Sequence, residues 1–187
     1  MTSSAPDRRA PVIDTLRLQL RPHALSDFEA CFAMWSDPGV TRFIGGRPQT
    51  GEEVWARMMR YAGMWQLLGM GFWAVEERGS GEFIGEVGVM DARRDILPPF
   101  VNEPEVGWSL RPAVQGRGFA GEAVAAAIAW AEATLDRPML VCIISPDNAP
   151  SLRLARKLGF RERLRTVFHD EPAIQLERPR MKRPTPA

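Results

Sequence analysis

Leu16, Leu18 and Leu20 alternate with Arg17, Gln19 and Arg21 near the start of the chain, the two-residue period of a half-buried strand. The period then lengthens. Phe28, Cys31, Phe32 and Trp35 recur at helical spacing, with Ser26 and Glu29 placed as a capping box, so an amphipathic helix is predicted, stopped by Asp37-Pro38-Gly39. Thr50 and Glu53 repeat that signal ahead of a stripe of Val54, Met58, Tyr61, Trp65 and Leu68, which predicts a second helix. FWAVEE and FIGEVGVM flank the turn RGSGE and read as a hairpin, and a proline-rich loop, DARRDILPPFVNEP, leads to a further strand, EVGWSL. Val124, Ala127, Ile128, Ala131 and Leu135 mark one face of a third helix, and PMLVCIIS is the continuous apolar run of a strand covered on both faces. Asn148 caps a short helix carrying Leu152, Ala155 and Leu158, with Gly159 at its end. Segments around Leu164–Phe168 and Ala173–Glu177, divided by HDEP, predict a closing hairpin.

The predicted order is strand, two helices, three strands, helix, strand, helix and two strands. Hairpins supply antiparallel pairs, while the strand-helix-strand passage through the third helix calls for a parallel one. One domain is expected over residues 12–178, between flexible tails at 1–11 and 179–187 that are rich in Pro, Ser and Arg. The 187-residue chain is long enough to bury a core without disulfides, and its formal net charge of +1 argues against a nucleic-acid or membrane partner. Cys31 and Cys142 lack metal-binding or redox spacing and only His23 and His169 accompany them, so no metal is expected. No signal-peptide core or membrane-length apolar run is visible, and a cytoplasmic protein is expected.

The candidate chemistry lies in VQGRGFAGEA, where Gly116, Gly118 and Gly121 satisfy G-x-G-x-x-G between a strand and a helix. Unpaired amides and the positive end of the helix dipole suit a phosphate there. A dinucleotide fold needs more: an acidic residue ending the next strand and a second βαβ half. Asp147 comes 26 residues after Gly121 and behind Pro146, and too little chain follows the loop. NAD is disfavoured, and no G-K-[ST] supports a nucleotide P-loop.

The same loop, with Gln115, Gly118 and Ala120 in the pattern Q/R-x-x-G-x-G/A, resembles that of the GNAT superfamily of acyl-CoA-dependent N-acetyltransferases. NAPSLRLARKLGF, from Asn148 to Phe160, fits both ends of a family helix, and TLRLQLRP, WSDPGVTRFIGG, GEFIGEVGV, PEVGWSL and GEAVAAAIAWA look most like its RimJ/RimL group. The resemblance implies an α/β (α+β) fold: a mixed, mostly antiparallel seven-stranded sheet, splayed between its fourth and fifth strands, with helices on both faces. It implies acetyl transfer from acetyl-CoA to a primary amine, either a small molecule or a protein N-terminus, in a ternary complex. A non-catalytic acyl-CoA-binding module is the alternative. Neither monomer nor homodimer is favoured.

Residue by residue, the resemblance implies that the main chain of Trp108, Ser109 and Leu110 grips the pantetheine arm. Gln115, Gly116, Arg117, Gly118, Phe119 and Ala120 would hold the pyrophosphate, and Asn148 would also touch the cofactor. Glu105 is the first candidate for the base and Glu86 the second. The family's usual acidic tyrosine is replaced by Ala155, so Ser151 is the candidate acid. Trp35, Phe43 and Trp65, with Trp73, are candidate acceptor-site aromatics, and His169 and Asp170 are placed at the pocket rim.

Overall fold

The computed structural model describes residues 9–180. Strand formation begins later than the alternation of leucines predicts. Leu16 is 89% exposed, because Thr15 closes a turn on Leu18, its N–H and hydroxyl both donating to the Leu18 carbonyl at 2.8 and 3.1 Å. That turn separates a two-residue strand, β1 (Ile13–Asp14), from β2 (Leu18–Arg21), and the two pair antiparallel. β1 is the strand that makes eight where seven were expected.

The capping box expected of Ser26 and Glu29 does not form. Asp27 takes the role instead: its carboxylate accepts from the Ala24 N–H at 2.8 Å and from both terminal nitrogens of Arg21 at 2.8 Å. Helix α1 (Phe28–Trp35) follows. α1 stops just before Asp37-Pro38-Gly39, as expected, and Asp37 caps a further four-residue helix, α2 (Pro38–Thr41), accepting from the Gly39 N–H at 2.7 Å. The predicted box at Thr50 and Glu53 is present in both directions and starts α3 (Gly51–Leu68), which closes on left-handed Gly69. Val54, Met58, Tyr61 and Trp65 are buried as their spacing requires, but Leu68, the last of the stripe, is 43% exposed.

Next come β3 (Phe72–Glu77), β4 (Glu82–Met90), β5 (Glu105–Leu110), α4 (Phe119–Thr134), β6 (Met139–Ile144), α5 (Ala149–Lys157), β7 (Arg161–Phe168) and β8 (Glu171–Pro179). Only His169 and Asp170 join the last two strands, both with positive φ, so Glu171 and Pro172 of the expected turn are paired strand residues. The sheet order is β1-β2-β3-β4-β5-β6-β8-β7. All neighbours are antiparallel except β5 and β6, the pair joined through α4 as the crossover rule demands.

The core on the α4 face gathers Leu18, Leu20, Val87, Val106, Phe119, Val124, Ile128 and Leu176. A second cluster, with Cys31, Met34, Trp35, Val54 and Met58, lies between α1, α3 and the sheet. Ala10 joins the first core and the Pro11 carbonyl accepts from Trp73 Nε1 at 2.8 Å, so residues 10 and 11, expected in a flexible tail, are packed. Pro179 likewise belongs to β8. Residues 1–8 and 181–187 of the expected tails lie outside the described residues. Among the described residues, no helix is long and apolar enough to cross a membrane.

Candidate active site

β5 and β6 are held together at one end only. The Val141 N–H donates to the Pro104 carbonyl at 3.0 Å, Glu105 and Val141 are the single paired position, and the two strands part beyond it. Main-chain groups alternate in direction along a strand. Since Pro104 faces β6 and the Arg111 N–H donates to Ile84 of β4 at 3.0 Å, Trp108 and Leu110 turn their polar main-chain groups into the open seam. The Leu110 carbonyl is taken by Gln115 Nε2 at 3.2 Å. Ser109 corrects the sequence expectation: its main chain faces β4, opposite Glu86, so its polar backbone groups are not offered to the seam, although the residue lines the cleft.

At the carboxyl end of the seam β5 runs into the glycine loop. The first main-chain bond of α4 joins the Glu122 N–H to the Gly118 carbonyl at 3.2 Å, leaving the amides from Gly116 to Gly121 without an acceptor among the described residues. Gly116 and Gly118 have φ of +79° and +81°, and a Cβ on Gly116 would meet no atom within 4 Å. These glycines answer a backbone requirement and keep an open face over six free donors at a helix N-terminus. The loop is braced from outside: Arg17 donates to the Arg117 carbonyl at 3.0 Å and pairs with Glu122 at 2.7 Å, while Thr15 donates to Glu122 at 2.6 Å. Burial would raise the Glu122 carboxyl, but the bonds from Thr15 and Arg17 bring it below its ordinary value. The Arg117 guanidinium is turned to Glu77 at 2.9 Å, and Phe119 is buried under the guanidiniums of Arg17 and Arg117. Both residues therefore offer amides, not side chains, to the loop.

One cavity of about 770 Å³ runs from this seam to the space under α1 and α3. Trp108, Ser109, Asn148 and Ser151 line the seam end. Trp35, Phe43, Arg42 and Arg57 line the other, and His169 of the β7-β8 turn and Glu171 at the start of β8 complete the lining. Asn148 caps α5, accepting from the Ser151 N–H at 3.2 Å. Ala155, where the family's tyrosine would stand, is fully buried. Of the acceptor-site aromatics, Trp35 and Phe43 reach the cavity. Trp65 does not: it stacks edge-on against Trp73 and Trp130 at 4.7 and 5.2 Å and donates to the Phe72 carbonyl at 2.9 Å, a core role shared with Trp73. Asp170 sits beside His169 in the turn but is not part of the lining.

The two candidate bases sit in different surroundings. Glu105 lines the cavity, and both its oxygens are bonded by Arg94, at 2.7 Å for Oε1. Glu86 is fully buried below the cavity floor. Its Oε2 accepts from Trp35 Nε1 at 3.1 Å and Tyr61 Oη at 3.0 Å, and its Oε1 lies 3.3 Å from His23 Nε2 and 3.5 Å from Cys31 Sγ. Burial pushes this carboxyl up, but the bond and charge of His23, the charge of Arg57 and the Tyr61 hydroxyl outweigh it and hold it below the usual range. The opposite happens to its neighbours: burial, then the Glu86 charge, pushes the Cys31 thiol and the Tyr61 phenol well up. His23, Cys31 and Glu86 offer three ligand atoms within 4.8 Å, but a metal between them would have to break the His23 contact to Oε1 and take the proton from a thiol that holds it tightly.

Arg57 and Arg94 had no sequence signal beyond polar positions on a helix and in a loop. Arg57 lies 3.8 Å over the Trp35 ring, with Nε donating to Gln49 Oε1 and one terminal nitrogen to Tyr61 Oη, each at 3.1 Å.

Residues 17–161 match the family described as Acetyltransferase (GNAT) domain. The chain is 28% identical over 153 residues to the uncharacterized N-acetyltransferase YoaA of Bacillus subtilis (strain 168), covering 81% of this chain and 84% of that protein. A putative GnaT-family acetyltransferase from Bordetella pertussis superposes with a TM-score of 0.80 at 37% identity, over 90% of this chain and 99% of the other. The ribosomal L7/L12 alpha-N-protein acetyltransferase RimL, solved in complex with coenzyme A, shares the fold with a TM-score of 0.74 at 14% identity, over 90% and 98% of the two chains.

Proposed function

From the premise that the chain belongs to the GNAT acetyltransferase family, we propose that it transfers an acetyl group from acetyl-CoA to a primary amine in a ternary complex, as its RimJ/RimL-like sequence features suggest. The observation that carries this reading is the pairing of an opened strand edge at Trp108 with the unsatisfied amides of Gly116 to Gly121. The first suits an amide-bearing arm added alongside β5, and the second a pyrophosphate.

An alkylamine with a pKa near 10 is neutral in about one molecule in a thousand at pH 7, so the acceptor must lose a proton before its nitrogen can attack the thioester carbon. Glu105 is the base on this reading. Trp108 lies three residue steps along the strand from it, a span of about 10 Å, which favours transfer through a bridging water. Each Glu105 oxygen keeps a lone pair beyond its bond to Arg94. As the carbon–nitrogen bond forms, charge gathers on the carbonyl oxygen, where the Trp108 N–H supplies a donor. The carbon–sulfur bond then breaks, and the leaving thiolate takes a proton through the hydroxyl of Ser151 at the start of α5, which regains one from solvent as Glu105 releases the proton it took from the amine.

Release of free thiol from acetyl-CoA across an amine panel tests the reading. Glu105→Gln is expected to lower kcat at least tenfold with acetyl-CoA affinity unchanged, and Ser151→Ala to lower kcat more weakly. Tight acetyl-CoA binding with no release from any amine would replace the enzyme by a binding module.

A further inference from the structure

The cavity walls differ in charge. Arg42 and Arg57, from the loop after α2 and from α3, line the wall under the helices, and neither has an acidic ion-pair partner among the described residues. Arg94 is neutralised by Glu105. The remaining carboxylates of the lining, Asp147 and Glu171, come from across the seam, at the start of α5 and of β8.

Arg57 is the better defined of the two free cations. The Trp35 ring beneath it, Gln49 at its Nε and the Tyr61 hydroxyl at one terminal nitrogen hold the guanidinium plane. One terminal nitrogen keeps both its hydrogens and the other keeps one, enough for a two-point bond to a carboxylate. Tyr61 and Trp35 both rest on Glu86, so the buried carboxylate sets the position of the cation without occupying its free edge. With the single carboxylate of Glu86 buried behind two arginines, the face that this wall turns to the cavity is positive.

Resting on the acetyl-transfer reading above, we propose that the acceptor is a primary amine that also carries a carboxylate, bound through Arg57, with its amino end directed toward Glu105 and the carboxylates across the seam. A polyamine would place a second cation against Arg42 and Arg57 and is disfavoured by like-charge repulsion. Two sources share this chemistry: a free amino acid, through its α-carboxylate, and a peptide whose second residue is Asp or Glu, through its side chain.

The test uses matched pairs of acceptors that differ only in the anion: an amino acid against its amide, an Ala-Glu peptide amide against an Ala-Gln peptide amide, and spermidine as the polycation. Thiol release should favour the carboxylate member of at least one pair by tenfold or more in kcat/KM; the pair that responds names the source. In Arg57→Gln that preference should fall to within threefold, and in Arg57→Lys to an intermediate value, with acetyl-CoA affinity unchanged. Calorimetry with the coenzyme A complex reads the same preference as binding, independent of turnover. Equal rates within every pair, or a preference for spermidine, overturn the proposal while leaving acetyl transfer standing. A preference that survives in Arg57→Gln also overturns it. Carboxylate binding that is lost in Arg57→Gln, with no thiol released by wild type, would retain the anion site and remove the acetyl-transfer reading. Because wild type alone carries the matched comparison, a poorly folding variant does not shield the idea.

Discussion

Replacing Glu86 probes the support beneath the acceptor wall, and two substitutions separate its contributions. In Glu86→Ala the donors Trp35 Nε1 and Tyr61 Oη, at 3.1 and 3.0 Å from the carboxylate, lose their acceptor in a fully buried setting. A buried donor left unsatisfied costs about 1–3 kcal/mol, so the pair costs about 2–6 kcal/mol before any cavity is counted. Glu86→Gln keeps both bonds if the new carbonyl takes the Oε2 position; its amide nitrogen then replaces the acceptor that faces His23 Nε2 and Cys31 Sγ, a loss common to both variants. What is lost is the charge assistance of two bonds, about 1 kcal/mol each. The alanine variant should therefore be less stable than the glutamine variant by about 2 kcal/mol, or about 4–8 °C in Tm for a domain of this size. Urea unfolding at pH 7 and calorimetric Tm would read the gap. The sign with pH follows from the lowered carboxyl. Its contribution is full above the unfolded value near 4.3 and is lost as pH falls through the folded one, so the glutamine deficit should shrink toward pH 3.5. If alanine and glutamine were equally stable, or if either matched wild type within 0.5 kcal/mol, the bonds drawn to Glu86 would not be stabilising the fold.

Two further outcomes are expected elsewhere in the molecule. Asp27 is almost inaccessible and bonds Arg21 through both oxygens; Asp27→Asn should cost about 3 kcal/mol at pH 7, because it leaves a cation with one lost partner. Burial would raise the Asp27 carboxyl, but Arg21 and the Ala24 N–H bring it below its ordinary value, so the deficit should begin to shrink as pH falls past the unfolded value near 3.9 and be lost through the lower folded one; a constant deficit from pH 7 to pH 3 would contradict the pairing. Gly118→Val forces a branched side chain to φ +81° at the mouth of the loop. Calorimetry should show acetyl-CoA binding weakened at least tenfold with Tm lowered only a few degrees, and unchanged affinity would mean that the loop does not touch the coenzyme.

Helices proved legible where their signals are local. The Thr50–Glu53 box and the Asn148 cap act within a few residues, and the structure has both. Ser26 and Glu29 had the same spacing, yet Asp27 took the role because Arg21, from the preceding strand, fixes its carboxylate, a choice made by tertiary contact. Leu16 fell outside its strand for a similar reason: the turn at Thr15 is tied to Glu122 of α4, more than a hundred residues away. Trp65 illustrates the limit for aromatic side chains. Helical spacing shows that it is buried, but only the packing of Trp73 and Trp130 against it decides that the burial is core and not cavity wall.

The candidate site divides along the same line. A loop of free amides needs small residues at fixed intervals on one stretch of chain, so the proposed phosphate site, Gln115 to Ala120, lies within a single motif of the sequence. The proposed acceptor wall assembles side chains from α1, α3, the loop after α2 and the β7-β8 turn, and no spacing in the chain encodes that meeting. One clue was nevertheless present: Glu86 interrupts an apolar run in a strand that is buried on both faces. A carboxylate in that setting must be surrounded by donors. Following those donors outward leads through Trp35 and Tyr61 to Arg57, so a buried acid with no room for substrate still marks where the substrate's own charge is to be met.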